Sequence, residues 1–214
     1  MLINGRRTAG TGAVIVALTL ATTASALTII GTRGDDKIVG SDDNDRIAAL
    51  GGNDLVRALG GDDRARGDEG NDGIAGGPGE DRLGGGRGDD IQAGGGDDDA
   101  QRGGPGDDVV YAQEGADRSS GGSGDDRLWG LVQSDVALPG VDVLNGGTGH
   151  DRLLARDGEA DEITCGRGRD RALLDDLDVI TDATRKHPNG SCEGVRRGEP
   201  TPGDDDPETG GDID

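Results

Sequence analysis

A nine-residue period dominates this chain and limits what it can fold into. From Gly31 to Trp129 the sequence divides into eleven consecutive units of nine residues with no insertion or deletion. The first reads Gly31-Thr32-Arg33-Gly34-Asp35-Asp36-Lys37-Ile38-Val39, and later units begin at Gly40, Ala49, Ala58, Gly67, Gly76, Gly85, Gly94, Gly103, Ala112 and Gly121. The sixth position is aspartate in every unit: Asp36, Asp45, Asp54, Asp63, Asp72, Asp81, Asp90, Asp99, Asp108, Asp117 and Asp126. The fourth is glycine in nine units, with Asp43 and Asp97 the exceptions. The eighth is usually aliphatic, as at Ile38, Val56, Leu83 and Leu128, and fails at Ala65, Gln92, Gln101 and Ser119. A tract that was merely rich in glycine and aspartate would drift in register, and this one does not over 99 residues.

The unit has a direct physical reading. Glycine at the first and fourth positions opens backbone angles closed to other residues, so the first six residues are expected to form a tight loop. The last three alternate polar, apolar, polar, the pattern of a very short strand. Such a strand is unstable alone, but stacked copies bury a continuous apolar stripe and pair their backbones. Each loop and strand reverses the chain, so two units make one coil of 18 residues, and odd units stack on odd, even on even. The expectation is an all-β, two-sided β-solenoid. Stacking at about 4.8 Å brings the sixth-position aspartate of each unit beside that of the unit two later. The fifth position is assigned no partner. Gln92 and Gln101 are expected to point inward and to face each other across the core.

Composition decides what must complete such a fold. Only 30% of the 214 residues are apolar and the net charge is −22, whereas an ordinary globular core uses about 45–50% apolar residues. Stacked carboxylates repel unless a cation lies between them. Calcium suits the place, because it takes six to eight oxygens from carboxylates and backbone carbonyls. Two cysteines and two histidines, His150 and His187, are too few for a zinc or copper cluster. Magnesium, with its strict octahedron, should substitute poorly. Nucleic acid is excluded as a partner by the acidic balance.

The units resemble the calcium-binding nonapeptide repeat of the RTX, or hemolysin-type, family, G-G-x-G-x-D-x-U-x with U a large apolar residue. Residues 76–84, 103–111 and 121–129 are similar to it almost position for position. The resemblance implies a parallel β-roll with several calcium ions bound in loops between coils. It makes the eleven sixth-position aspartates the carboxylate ligands, with Gly34, Gly52, Gly61, Gly70, Gly79, Gly88, Gly106 and Gly124 supplying loop carbonyls. Family toxins and proteases carry a large effector domain before the repeats. Here four residues, Leu27–Ile30, separate the first unit from the leader described next, so no catalytic site is expected.

The flanks extend this reading. Arg6 and Arg7, the apolar run from Ala13 to Leu20 and Ala24-Ser25-Ala26 form a secretory signal peptide over residues 1–26, cleaved after Ala26. The general export route is favoured over the twin-arginine one. The apolar run is too short for a membrane span, which needs roughly 20 residues, so the product should be secreted. Residues 27–129 form the eleven-repeat roll, and residues 130–139 an insertion loop. Residues 140–197 hold degenerate repeats and a cap. There Gly140, Asp142 and Leu144 resume the pattern, and Gly146-Gly147-Thr148-Gly149-His150-Asp151 adds Asp151 as a further ligand. The cap resembles that of secreted bacterial proteins of this family. Cys165 and Cys192, exported to oxidising conditions, are expected to pair and close it, the alternative being a bridge between two chains. Residues 198–214 form an acidic tail expected to be disordered.

Three Arg-Gly-Asp triplets, at 33–35, 66–68 and 87–89, are read as products of composition, and both histidines as surface residues. The functional expectation is a secreted, monomeric, non-catalytic calcium-binding repeat protein with a structural or surface-binding role. The alternatives are a calcium-dependent adhesin or a remnant of an RTX-type secreted enzyme or toxin.

Overall fold

The structure is a computed structural model and describes residues 2–4, 14–16, 26–130, 140–183 and 191–198. Two ten-stranded parallel sheets stand back to back, and each is built from every second strand in the chain. The first stacks Leu2–Asn4, Thr28–Ile30, Arg46–Gly51, Arg64–Glu69, Arg82–Arg87, Ala100–Pro105, Arg118–Ser123, Val143–Gly149, Glu162–Gly168 and Val179–Ile180. The second stacks Val14–Val16, Lys37–Val39, Leu55–Arg57, Gly73–Pro78, Ile91–Gly96, Val109–Gln113, Arg127–Trp129, Arg152–Ala155, Arg171–Leu174 and Gly194–Arg197. This is the all-β, two-sided solenoid that the period predicts, in the parallel β-roll form that the resemblance implies. No helix among the described residues is long and apolar enough to cross a membrane.

Register follows the repeat. Ile47 pairs with Ala65 and Ala65 with Leu83 on the first sheet, and Ile38 pairs with Val56 and Val56 with Ile74 on the second. All six are buried and form one apolar column. Most array strands are longer than the sequence suggests. Arg64–Glu69 and Arg82–Arg87, for example, run from the seventh position of one unit to the third of the next. The loop therefore shrinks to the fourth to sixth positions. Pairing continues because the second position takes a positive φ, at Gly77, Gly86, Gly104 and Gly122, without leaving the ladder. Leu50, Leu59, Asp68 and Gln113 adopt it too, at φ between 77° and 91°.

The inward glutamines differ from expectation in their partners. Gln92 and Gln101 are buried, but their amides do not pair with each other. Gln92 Nε2 donates to the Arg102 carbonyl at 2.8 Å and Gln101 Nε2 to the Tyr111 carbonyl at 2.9 Å. Each reaches forward to the backbone of the following strand, since a buried amide bonds the nearest acceptor available. Gln101 Oε1 also accepts from Ser119 Oγ at 2.9 Å, which accounts for the polar eighth position one coil further on.

Asp117 connects to Asp142 across a separation of 25 residues, against 18 within the array, so the insertion adds seven residues and the coils resume in phase. Leu144 then continues the inward column. The cap is closed by the disulfide Cys165–Cys192. The intrachain pairing is the one expected. The signal-peptide assignment falls largely outside the described residues, of which Leu2–Asn4 and Val14–Val16 lengthen the two sheets at one end. The insertion loop, His187 and the tail beyond Gly198 also lie outside them.

Candidate metal centre

Each sixth-position aspartate turns inward at the start of its strand, and none is more than 3% exposed. A carboxylate so placed is costly unless its oxygens are engaged. One oxygen is. Asp36 N–H donates to Asp54 Oδ1, Asp54 N–H to Asp72 Oδ1 and Asp72 N–H to Asp90 Oδ1, at 2.7–2.8 Å. The opposite side of the roll repeats this through Asp45, Asp63, Asp81 and Asp99 at 2.6–2.8 Å. Both ladders cross the insertion and enter the cap through Asp142, Asp151, Asp161 and Asp170, reaching Asp178 on one side and Glu193 on the other. The stacking of unit n on unit n+2 is therefore present, each carboxylate bridging to the backbone of the preceding coil.

The second oxygen is different. In the first two units Oδ2 accepts a loop N–H, from Thr32 to Asp36 and from Ser41 to Asp45. Further along, Oδ2 of Asp54, Asp63, Asp72, Asp81, Asp90, Asp99, Asp108 and Asp126 is buried with no hydrogen-bond partner among the described residues. The same holds for Asp151, Asp161 and Asp170. Burial pushes these acids up, the accepted N–H pulls them down, and neighbouring acids push them up again. The balance puts Asp63, Asp108 and Asp151 at about 6, Asp54, Asp81, Asp90 and Asp126 at about 7, and Asp99 at about 8. A column of buried charge with one orphan oxygen per coil is a column that favours protons or a cation.

Backbone oxygens stand beside these carboxylates: a Cβ on Gly67, Gly76 or Gly94 would meet Oδ2 of Asp72, Asp81 or Asp99 together with the first-position carbonyl oxygen of Gly85, Gly94 or Ala112 on the next coil. The loop-glycine carbonyls lie instead beside fifth-position side chains such as Asn53 and Asn71. A Cβ on Gly79 would meet the Gly61 carbonyl oxygen at 2.5 Å, and one on Gly70, Gly88, Gly106 or Gly124 would meet the fourth-position carbonyl of the preceding coil. These glycines have φ between 121° and 140°, so both conformation and space exclude a side chain. Gly34 differs from the other expected loop glycines: it has no positive φ and nothing within 4 Å of a built Cβ. At Asp97 a side chain tolerates the left-handed angle, φ 73°, as aspartate does more readily than most residues. Among the described residues no three His, Cys, Asp or Glu side chains form a metal-binding group. A cation held here must combine carboxylate with backbone oxygens, and that donor set is the hard, all-oxygen one that calcium takes.

One functional column was missed by the sequence reading. The fifth position is not idle. Asp35 Oδ1 accepts from Asn53 N–H, Asn53 from Asn71, Asn71 from Asp89, Asp89 from Asp107 and Asp107 from Asp125, at 2.8–3.0 Å. Its polarity runs opposite to that of the sixth-position ladder. His150 extends it, donating its N–H to Asp125 and accepting from Arg169 N–H at Nδ1. The signal was available: the fifth position is Asp or Asn in nine of the eleven units.

The profile of the RTX calcium-binding nonapeptide repeat matches four times, over residues 28–56, 57–92, 93–128 and 136–171. The chain belongs to this family. RTX repeats bind calcium, and the orphan oxygens fit that ion, so the protein is a calcium-binding repeat protein. The last match begins at residue 136, within the insertion, and ends at Arg171, so the RTX pattern resumes in the degenerate coils as the ladders do. A search of curated proteins returned no match.

Proposed function

We propose that this RTX protein is exported, binds several calcium ions along its length and acts as a non-catalytic structural or surface-binding module. The observation that carries the reading is the unbroken column of buried carboxylates. Calcium between coils would neutralise a repulsion that recurs at every step, so metal binding and folding are one event. Asp36, Asp45, Asp54, Asp63, Asp72, Asp81, Asp90, Asp99, Asp108, Asp117, Asp126 and Asp151 would supply carboxylate oxygens, and the loop glycines carbonyl oxygens. The intrachain disulfide supports export to an oxidising compartment. The non-catalytic reading is supported by His150, whose Nδ1 is engaged as a backbone acceptor.

Limited proteolysis of the secreted protein tests this. Fragments should resist digestion in calcium, and the array should be cut throughout in chelator or in magnesium alone. Equal digestion in all three would contradict the proposal. Mass spectrometry of the same sample should give Leu27 as the first residue.

A further inference from the structure

The roll separates its charges. Aspartates occupy the loops, while the outward face of the first sheet carries arginine. Arg46, Arg64 and Arg82 stand in direct register on three successive strands. Ala100 follows, then Arg118. Two residues along each strand, Arg66 and Arg102 flank Gly84 in a second row. All six arginines are exposed. Among the described residues their side chains have one acid neighbour, Asp68, at 4.0 Å from Arg66 Nε. Four strand spacings carry the row over about 19 Å.

Like charges stacked in register destabilise a sheet, and among the described residues only Arg66 of the six has an acid partner. The other face has a shorter run, Arg127–Arg152–Arg171, but Asp107, Asp125 and Asp151 line the same recess.

We infer that the first-sheet face from Arg46 to Arg118 is a docking surface for an anionic polysaccharide. The inference deepens the surface-binding role proposed above and rests on a calcium-folded roll. Guanidinium groups bind carboxylate or sulfate by paired hydrogen bonds, and the rows present them at a regular repeat to an extended polymer. Ala48, Gly84 and Ser120 keep the floor between them low. Single-stranded nucleic acid fits poorly, because base stacking needs aromatic rings and both aromatics, Tyr111 and Trp129, belong to the other sheet. A duplex, with about one charge per 1.7 Å, would meet the exposed loop acids Asp62, Asp98 and Asp107 beside the strands.

The test is binding of the calcium-loaded full chain to dextran sulfate, neutral dextran and duplex DNA, with circular dichroism on every sample. The triple variant Arg46→Gln/Arg64→Gln/Arg82→Gln is compared with Arg33→Gln/Arg57→Gln/Arg169→Gln, which removes the same charge from scattered places. Dextran sulfate should bind and neutral dextran should not. The face variant should lose at least about tenfold in affinity while the scattered variant changes less than about twofold, and added salt should weaken binding. Equal losses in the two variants, no binding by a folded parent, or equal binding of DNA would overturn the inference. A parent that fails to gain β-structure with calcium would overturn the calcium reading and this inference with it.

Discussion

Between Ile38 and Leu83 the strands bring small inward residues, Ile, Val, Ala or Leu alternating with glycine or alanine, whereas Arg152–Ala155 and Arg171–Leu174 in the cap bring three buried apolar residues each. The array column ends at Leu83 and resumes at Val110, with Gln92 and Gln101 between. The cap adds a covalent tie, and on its outward side Leu154 and Leu173 pack against Trp129 at the end of the array, on which Tyr111 stacks at 4.9 Å. Both regions carry the same aspartate ladder, but the cap sets three buried apolar residues per strand and a disulfide against its repulsion. The expectation is that ions matter most where the repeat is regular, and burial and the disulfide where it decays.

The largest expected contrast comes from pH without calcium, because it acts on many carboxyls at once. The folded carboxyls of Asp54, Asp63, Asp81, Asp90, Asp99, Asp108 and Asp126 lie at about 6 to 8, above the ordinary value of 3.8. The folded chain therefore holds more protons than the unfolded one. The resulting stability is complete below about pH 4 and is lost as pH rises through 6 to 8. Thermal melts in chelator should show a more stable array at pH 5 than at pH 8. In calcium the sense reverses, since protons compete for the same oxygens and the calcium midpoint should rise on acidification. A chelated array that gains stability with rising pH would refute this.

Breaking the cap should come next. Cys165→Ala/Cys192→Ala opens a link with a sequence separation of 27, worth about 3–4 kcal/mol in the chain-entropy model. Denaturation followed by Trp129 fluorescence should show an earlier transition, while the calcium midpoint of the array stays close to that of the parent. An array that weakens as much as the cap would erase the distinction between them.

Within the array, Asp81→Ala orphans the buried Asp63 N–H, costing about 1–3 kcal/mol, and removes a carboxylate from the column. It should raise the calcium needed for folding well above that for Asp35→Ala, whose partner Asn53 N–H is exposed. Equal titrations would make the two ladders equivalent.

The smallest effect separates the two glutamines. Gln92 Oε1 is buried without a partner, so Gln92→Leu trades the one bond to the Arg102 carbonyl for relief of an orphan oxygen and should change stability by less than about 1 kcal/mol. Gln101→Leu should destabilise more, because it loses the bond to Tyr111 and Ser119 Oγ loses its acceptor. Calcium titrations of the two variants that move together would show that Gln101 and Ser119 are not coupled.

The coil stacking, the sixth-position column and the cysteine pair were legible because each depends on period or on residue type alone. The lengths of the strands were not, since glycine at the second position reads as a loop until its positive φ is seen inside a paired ladder. The glutamine partners depend on a side chain reaching a carbonyl ten residues later in the chain, which periodicity does not encode. The fifth-position ladder was legible in principle. Asn53, Asn71 and Asp89 repeat as regularly as their neighbours, but a short polar residue in a turn has an ordinary local explanation, and the inter-coil bond shows only in three dimensions.

Circular dichroism of the mature chain in chelator and through a calcium titration tests the central claim, that the regular coils fold on calcium. The account predicts a largely disordered spectrum in chelator, with residual β-signal from the cap, and a cooperative gain of β-structure with calcium that magnesium does not reproduce. Identical β-rich spectra in chelator and in calcium at neutral pH would contradict it.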